Sequence, residues 1–312
     1  MDATQQRAAL TICLMAALAD GHNDERERAE LRRVAESLGA QGGIDAGAVY
    51  EDVLFRKPDL GTVAAALTTP EQRQAAYEMA VGVCNADGAT TPAEQAFLAS
   101  LSQALGLPAA PAQDFARTAD ALASAPVASS ALDGALVAAV PANDADLDKM
   151  ILNYAILNGA LELLPQSLAS MAIIPLQMRM VYRIGAAHGF ELDSGHVKDL
   201  LATLGVGLTS QYLEQFGRKL VGGLLGSIGG GLLRGAGSVT TGAAFSFATT
   251  YALGQVAKRY YAGGRAIDAA GLQRAFADML GQAKALQGRY TGQIAEQARS
   301  LDLNKVLSAI RS

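Results

Sequence analysis

The sequence predicts an all-α protein of two helical domains, an N-terminal pseudo-repeated helical bundle and a C-terminal Gly-rich helical hairpin module. Three observations point there. Half of the 312 residues are hydrophobic, yet Trp is absent and aromatics make up only 5%, a balance that suits close-packed helices better than a β-sandwich. A stretch beginning near Leu14 is written again 67 positions later, and the last part of the chain spaces its apolar residues at helical intervals.

The repeat sets the first elements. Asp20 pairs with Asp87, Gly21 with Gly88, Glu27 with Glu94, Leu31 with Leu98, Leu38 with Leu105 and Gly39 with Gly106. An apolar helix is expected over Ala8 to Leu18 and over Ala75 to Val83, each closing near Ala-Asp-Gly, where glycine takes the left-handed conformation that ends a helix. A second helix follows each turn. Thr91-Pro92-Ala93-Glu94 supplies an N-cap, a first-turn proline and a Glu at the third helical position. In the first copy Asn23 or Asp24 can cap, and Glu25 and Glu27 suit the positive end of the helix dipole.

These acidic residues admit two readings. Asp before Gly and Glu in a first turn are ordinary helix punctuation. Alternatively, two related units packed by pseudo-symmetry bring Asp20, Glu27, Asp87 and Glu94 together, and four convergent carboxylates repel unless a divalent cation, calcium or magnesium, neutralises them. The Asp-Gly, five residues, Glu spacing is that of an EF-hand loop, but its first and third ligand positions fall on Ala16 and Leu18 in one copy and on Val83 and Asn85 in the other. Only Asn85 offers oxygen, so neither loop can coordinate calcium alone in that manner.

The texts "ALADGHNDERERAEL" and "NADGATTPAEQAFL", each followed by a helix ending in Leu-Gly, resemble the TerB-like family known from tellurite-resistance clusters, over residues 5–107. The resemblance implies a compact helical domain whose acidic surface binds divalent cations at Asp20, Glu27, Asp87 and Glu94, with His22 and Asp24 as optional ligands. It also implies a link to membrane partners and to stress response.

From Leu107 to Asp146 the chain turns to Pro, Ala and Ser and reads as a semi-flexible connector, residues 108–146, with a short helix around Phe115 to Leu122. Beyond it Leu147 to Leu164 and Ser167 to Ala187 read as helices joined through Pro165, with a break or kink near Pro175. Arg179 and Arg183, four apart, share one side of that helix: either a solvated face or a contact for an anionic surface.

Residues 220–257 carry one charge, Arg234. Gly222, Gly226 and Gly230 recur at intervals of four, as do Gly231 and Gly235, forming a glycine zipper that lets another backbone approach closely. A membrane span needs about 20 mainly apolar residues. Leu220 to Leu233 is too short for one, and Gly235 to Ala257 is rich in Gly, Ser and Thr, so a Gly-stabilised membrane hairpin or an interfacial helix pair is expected over two independent spans, with a tightly packed soluble hairpin as the alternative. The run lacks the Gly-Lys-Ser/Thr ending and the preceding strand of a phosphate cradle.

"NGALELLPQSLASMAIIPLQMRMVYRIGAAHGFEL" with the Gly-rich segment resembles the domain of unknown function in YcjF-type, GTPase-associated inner-membrane proteins, over residues 147–262. The Ile-Pro, the Gln177 to Met180 core, Ile184-Gly185 and His188-Gly189 carry it. It implies a helical, membrane-linked module whose GTPase would be a separate chain.

The tail, residues 265–312, repeats Leu272, Phe276, Met279, Ala283, Leu286, Tyr290 and Ile294 at helical spacing, as a helix that closes the second domain or, alternatively, as an exposed docking helix. Cys13 and Cys84 sit in apolar helical patterns and read as buried thiols of a reducing compartment. No secretory signal is expected at the N-terminus.

Charge divides the chain. Residues 1–145 hold 19 acidic and 9 basic side chains, and residues 146–312 hold 11 and 16. Neither half is extreme enough to favour nucleic acid. His22, His188 and His196 are scattered and no nucleophile motif appears, which favours a binding or scaffold protein over an enzyme. The resulting expectation is a non-enzymatic stress-response or scaffold protein, cytoplasmic and associated with the inner membrane. Its acidic module takes a divalent cation or a basic partner, with a separate GTPase, a TerC-like membrane protein or a second copy of itself as candidate partners. The alternatives are a membrane-active or self-assembling structural protein and a metal-dependent hydrolase built on the carboxylates.

Overall fold

A computed structural model of the chain describes residues 1–21, 32, 45–86, 88, 90–128, 143–164, 166–206, 208–221 and 239–311. Among them every regular element is helical, and the fold class is all-α.

Local capping explains where the early helices start. Helix α1 (Ala3–Ala17) opens with a capping box in which Asp2 accepts the Gln5 N–H and the Gln5 side chain accepts the Asp2 N–H, both at 2.9 Å. Helix α2 (Ala46–Glu51) is capped by Asp45 and runs into a π-helical turn over Asp52–Arg56. Helix α3 (Leu60–Ala65) is capped by Asp59. Helix α4 (Pro70–Cys84) has a Thr69–Gln72 capping box and Pro70 in its first turn. Helix α5 (Pro92–Ala104) starts as its sequence predicts, on Thr91, Pro92 and Glu94. Helix α6 (Ala109–Ala123) contains the short helix expected around Phe115 to Leu122 and extends it toward the N-terminus within the stretch read as a connector.

Helix α7 (Asp144–Glu162) starts from Asn143, and a short α8 (Ser167–Met171) leads into α9 (Ile173–Ala187). The break falls at Ala172, so Pro175 lies in the first turn of α9, where its missing N–H is not needed, and not in the middle of a kinked helix. Then follow α10 (Ser194–Thr203), α11 (Leu208–Val221), α12 (Val239–Ala262), α13 (Ala269–Ser300) and α14 (Leu303–Arg311).

The chain divides into two compact units that are interleaved, where the sequence suggests domains in series. Residues 1–124 together with α11 make one, and residues 125–206 together with 239–312 make the other. In the first, α1 packs on α4, with α11 against both. Ala9, Ile12, Cys13 and Leu14 of α1 and Ala76, Met79, Ala80 and Val83 of α4 are buried, as are Tyr212 and Phe216 of α11. The Tyr77 hydroxyl donates to the Ala112 carbonyl at 3.3 Å, tying α6 to α4.

In the second unit α12 lies against α7, α9 and α13. A Cβ on Gly254 would stand 2.6 Å from Ile151 Cγ2, so only glycine permits this approach of α12 to α7. Phe247 stacks on Tyr251 and on Tyr290 of α13, with ring centroids 6.1 and 5.8 Å away. A buried polar seam runs through this core. Asn158 Nδ2 and Gln177 Nε2 each donate to Thr250 Oγ1 at 3.0 Å, and Ser246 Oγ donates to Glu162 Oε2 at 3.2 Å.

Arg179 and Arg183 belong to this interior and not to a charged outer face. Arg179 is 2% exposed, and its guanidinium donates to Ala309 and Ile310 carbonyls at 3.1 and 3.0 Å and to the Pro126 carbonyl at 3.0 Å. The first two are end carbonyls of α14, which lack intrahelical donors and carry the negative end of its dipole, so a buried cation is stabilised there. Arg183 is 9% exposed. An anionic surface therefore has no open access to this pair, correcting the expected surface role.

Among the described residues no helix is long and apolar enough to cross a membrane. Gly222, Gly226, Gly230, Gly231 and Gly235 lie outside the described residues.

Burial sets an alkaline limit on stability. It pushes the Cys13 thiol up from 9.0 to about 12 and the Tyr261 phenol up from 10.0 to about 12, and it raises Tyr212 as well. The folded chain keeps these protons at a pH where the unfolded chain releases them, so their contribution is full below about pH 9 and is lost as pH rises toward 12. Urea midpoints are expected to be flat from about pH 7 to about pH 8.5 and to fall steadily above that range. A midpoint that holds to pH 11 would contradict the burial of these groups.

Candidate functional site

The repeat extends further than the acidic motif. Asp2 and Thr69, each heading a capping box, are 67 positions apart, as are their partners Gln5 and Gln72. Those two glutamines meet: Gln72 Nε2 donates to Gln5 Oε1 at 3.0 Å, and Gln5 Nε2 donates to Thr68 Oγ1 at 3.2 Å. At the other end Cys84 Sγ lies 4.0 Å from the Ala16 carbonyl. Start meets start and end meets end, so α1 and α4 are parallel neighbours.

Parallel packing brings both Ala-Asp-Gly turns to one end of the pair. The turns are also built alike. Leu18, Ala19 and Gly21 N–H donate to the Leu14, Ala16 and Leu18 carbonyls, and Asn85, Ala86 and Gly88 N–H donate to the Val81, Val83 and Asn85 carbonyls, the same pattern 67 residues on. Gly21 and Gly88 both take left-handed backbone, at φ 70° and 95°, which is why each turn needs glycine there. Two helix C-termini side by side present about half a negative charge each, before any carboxylate is added. Such an end attracts cations.

Of the four expected ligands, Asp20 is half-buried in the first turn, and Glu27 and Asp87 lie outside the described residues, as do His22 and Asp24. Glu94 is buried, and its Oε2 accepts from the Thr91 N–H at 2.7 Å and from the Thr91 hydroxyl at 2.8 Å. That carboxylate oxygen therefore closes the capping box of α5. Among the described residues no group of three or more His, Cys, Asp or Glu side chains gathers in a way that could hold a metal ion.

The second turn has a brace that the sequence does not advertise. Asn85 is 4% exposed, its Nδ2 donates to the Val81 carbonyl at 3.0 Å, and its Oδ1 accepts from Thr90 Oγ1 at 3.1 Å, across the Asp-Gly turn. Its place as an EF-hand ligand position is thus taken by a loop contact. The first copy has Leu18 there, so the two turns share backbone but not bracing.

Cys13 of α1 and Cys84 of α4 are both buried and outside any disulfide, as the sequence reading expects of their burial. Their burial leaves them as packing groups.

Residues 1–119, which hold both turns and α1 to α5, match the family described as a protein of unknown function, DUF533, a family in the TerB-like superfamily. The match ends before residue 147 and gives the second resemblance no support. No curated protein and no solved structure matches the chain.

If Glu94 serves the cap, Glu94→Gln, which keeps a capping-box acceptor, should leave the thermal midpoint nearly unchanged. Glu94→Ala should cost about 1 to 2 kcal/mol by leaving the half-buried Thr91 donors without their acceptor. Equal losses in the two variants, measured by chemical denaturation, would remove the cap as the reason for this glutamate.

Proposed function

We propose that the N-terminal unit is a non-enzymatic binding module that holds a divalent cation, calcium or magnesium, between its two Ala-Asp-Gly turns. The observation that supports this reading is the parallel pairing of α1 and α4, which sets two like-built acidic turns and two negative helix ends at one place. Asp20 and Asp87 are the principal ligands, with Glu27 as a further ligand that the repeat in the sequence offers. Glu94 is a positioning residue, holding the start of α5 beside the second turn. The same negative end would suit a basic protein segment where no ion is bound.

Calorimetric titration of the full chain with calcium, magnesium and manganese is expected to show one saturable event. Asp20→Asn combined with Asp87→Asn should weaken it about tenfold or more, about 1.4 kcal/mol. Heat that is unchanged in the double variant, or no heat with any of the three ions, would leave helix closure as the whole role of the two aspartates.

In this reading the chain works at the cytoplasmic face of the inner membrane as a stress-response scaffold. The Gly-rich stretch of residues 220–257, with its single charge, motivates the membrane part. A separate GTPase, a TerC-like membrane protein or a second copy of the chain would be the partner. Fractionation followed by a carbonate wash is expected to leave the full chain in the membrane pellet. Full recovery in the supernatant would confine the Gly-rich stretch to packing within or between protein chains.

A further inference from the structure

A pocket of about 190 Å³ opens in the C-terminal unit, between the side of α10 and the turn that joins α12 to α13. Its polar lining includes His196, Asp199, Tyr260 and Arg265, and Leu200 and Leu272 contribute apolar wall.

The backbone at Arg265 is what first marks the place. Helix α12 closes with Gly263 N–H on the Arg259 carbonyl, Gly264 N–H on the Tyr261 carbonyl and Arg265 N–H on the Tyr260 carbonyl, at 3.0, 3.0 and 2.9 Å. Gly264 is left-handed at φ 65°, as such closures require, but Arg265 follows it at the same φ of 65°. A residue with a Cβ is disfavoured there, and glycine or asparagine would hold the turn with less strain. Backbone geometry alone does not call for arginine, so its side chain is the reason to look further.

That side chain is set in advance. The guanidinium lies 5.9 Å from the centre of the Phe190 ring, and interaction with the Tyr260 side chain beside it raises its pKa. Phe190 in turn packs on Tyr261, and Tyr261 on Tyr260, each with centroids 5.3 Å apart. Tyr260 lines the same pocket, and its hydroxyl has a proton to donate. On the opposite element His196 is oriented by Asp193, whose Oδ1 lies 2.8 Å from its Nδ1, so Nε2 is the ring nitrogen left for a ligand.

We propose that this pocket binds a small organic monocarboxylate, its two oxygens on the Arg265 fork and the Tyr260 hydroxyl and its hydrocarbon body against Leu200 and Leu272. The planar guanidinium matches a carboxylate in two-pronged fashion. Asp199 in the same lining opposes a doubly charged phosphate more than a single negative charge. The volume is below the roughly 300 Å³ at which drug-sized sites begin, which limits the body to one ring or a short branched chain.

Calorimetric titration of the full chain with sodium benzoate and with isovalerate tests this, with inorganic phosphate as the comparison. At least one acid is expected to bind at about 1 mM or tighter, and phosphate about tenfold more weakly or not at all. Arg265→Gly should weaken the acid about tenfold or more while the melting temperature stays level or rises, because glycine relieves the left-handed strain. If that variant melts lower, Arg265→Asn, also tolerated at positive φ, serves for the same comparison. Failure of both acids to bind, phosphate binding as tightly as either, or affinity within about twofold of the unaltered chain in a folded variant would each overturn the proposal.

Discussion

The parallel contact of α1 with α4 is the constraint on which the N-terminal unit depends. Small residues are prominent among its buried positions: Ala9 and Cys13 of α1 and Ala76, Ala80 and Cys84 of α4 are buried. Two parallel helices cannot be joined by a short turn, since the chain must travel back along about 22 Å of helix before it starts again. The segment between them, α2 and α3 included, makes that return. What results is an end of the pair where two turns of the same construction and two helix C-termini share one neighbourhood.

Electrostatics then asks for something at that end. Parallel helix dipoles add rather than cancel, and acidic side chains at C-termini add to the imbalance. A protein built for stability alone would place lysine or arginine there, as the C-terminal unit does when Arg179 closes the end of α14. The N-terminal unit instead repeats Ala-Asp-Gly. This contrast within one chain is the physical ground for a bound cation or a basic partner.

The C-terminal unit is organised on another principle. Its helices approach through glycine, at Gly254 against Ile151 and at Gly159 against Ile294, and its core carries a polar seam instead of a purely apolar layer. Asn158 and Gln177 both need Thr250, so the three helices that supply them fit in one register, a specificity that apolar side chains alone provide less sharply. Lys258, between Asp144 and Asp148 at 2.8 and 2.7 Å, pins the start of α7 to the end of α12 in the same way. A rigid end of α12 matters because the strained turn at Arg265 begins there.

Much of this was legible in the residues themselves. The all-α class, the 67-residue repeat, the Thr91 to Glu94 cap and the burial of Cys13 and Cys84 follow from periodicity and capping, which act within one or two helical turns. The Asp2/Thr69 equivalence was hidden because the two caps use different residue types for the same hydrogen bond. Arg179 and Arg183 were legible as charges four apart, but not as interior ones, because the carbonyls that receive Arg179 belong to residues 53, 130 and 131 positions away. Likewise Tyr260, Arg265 and His196 give no motif in sequence, since a helix ending and a helix side must meet before they form a pocket. By itself the sequence determined the helices, their ends and the repeat, because those depend on neighbours in the chain. Only the tertiary structure decided that the helix pair is parallel, that one arginine is buried as a helix cap and that another is exposed on a strained turn, because each depends on partners the chain brings from far away.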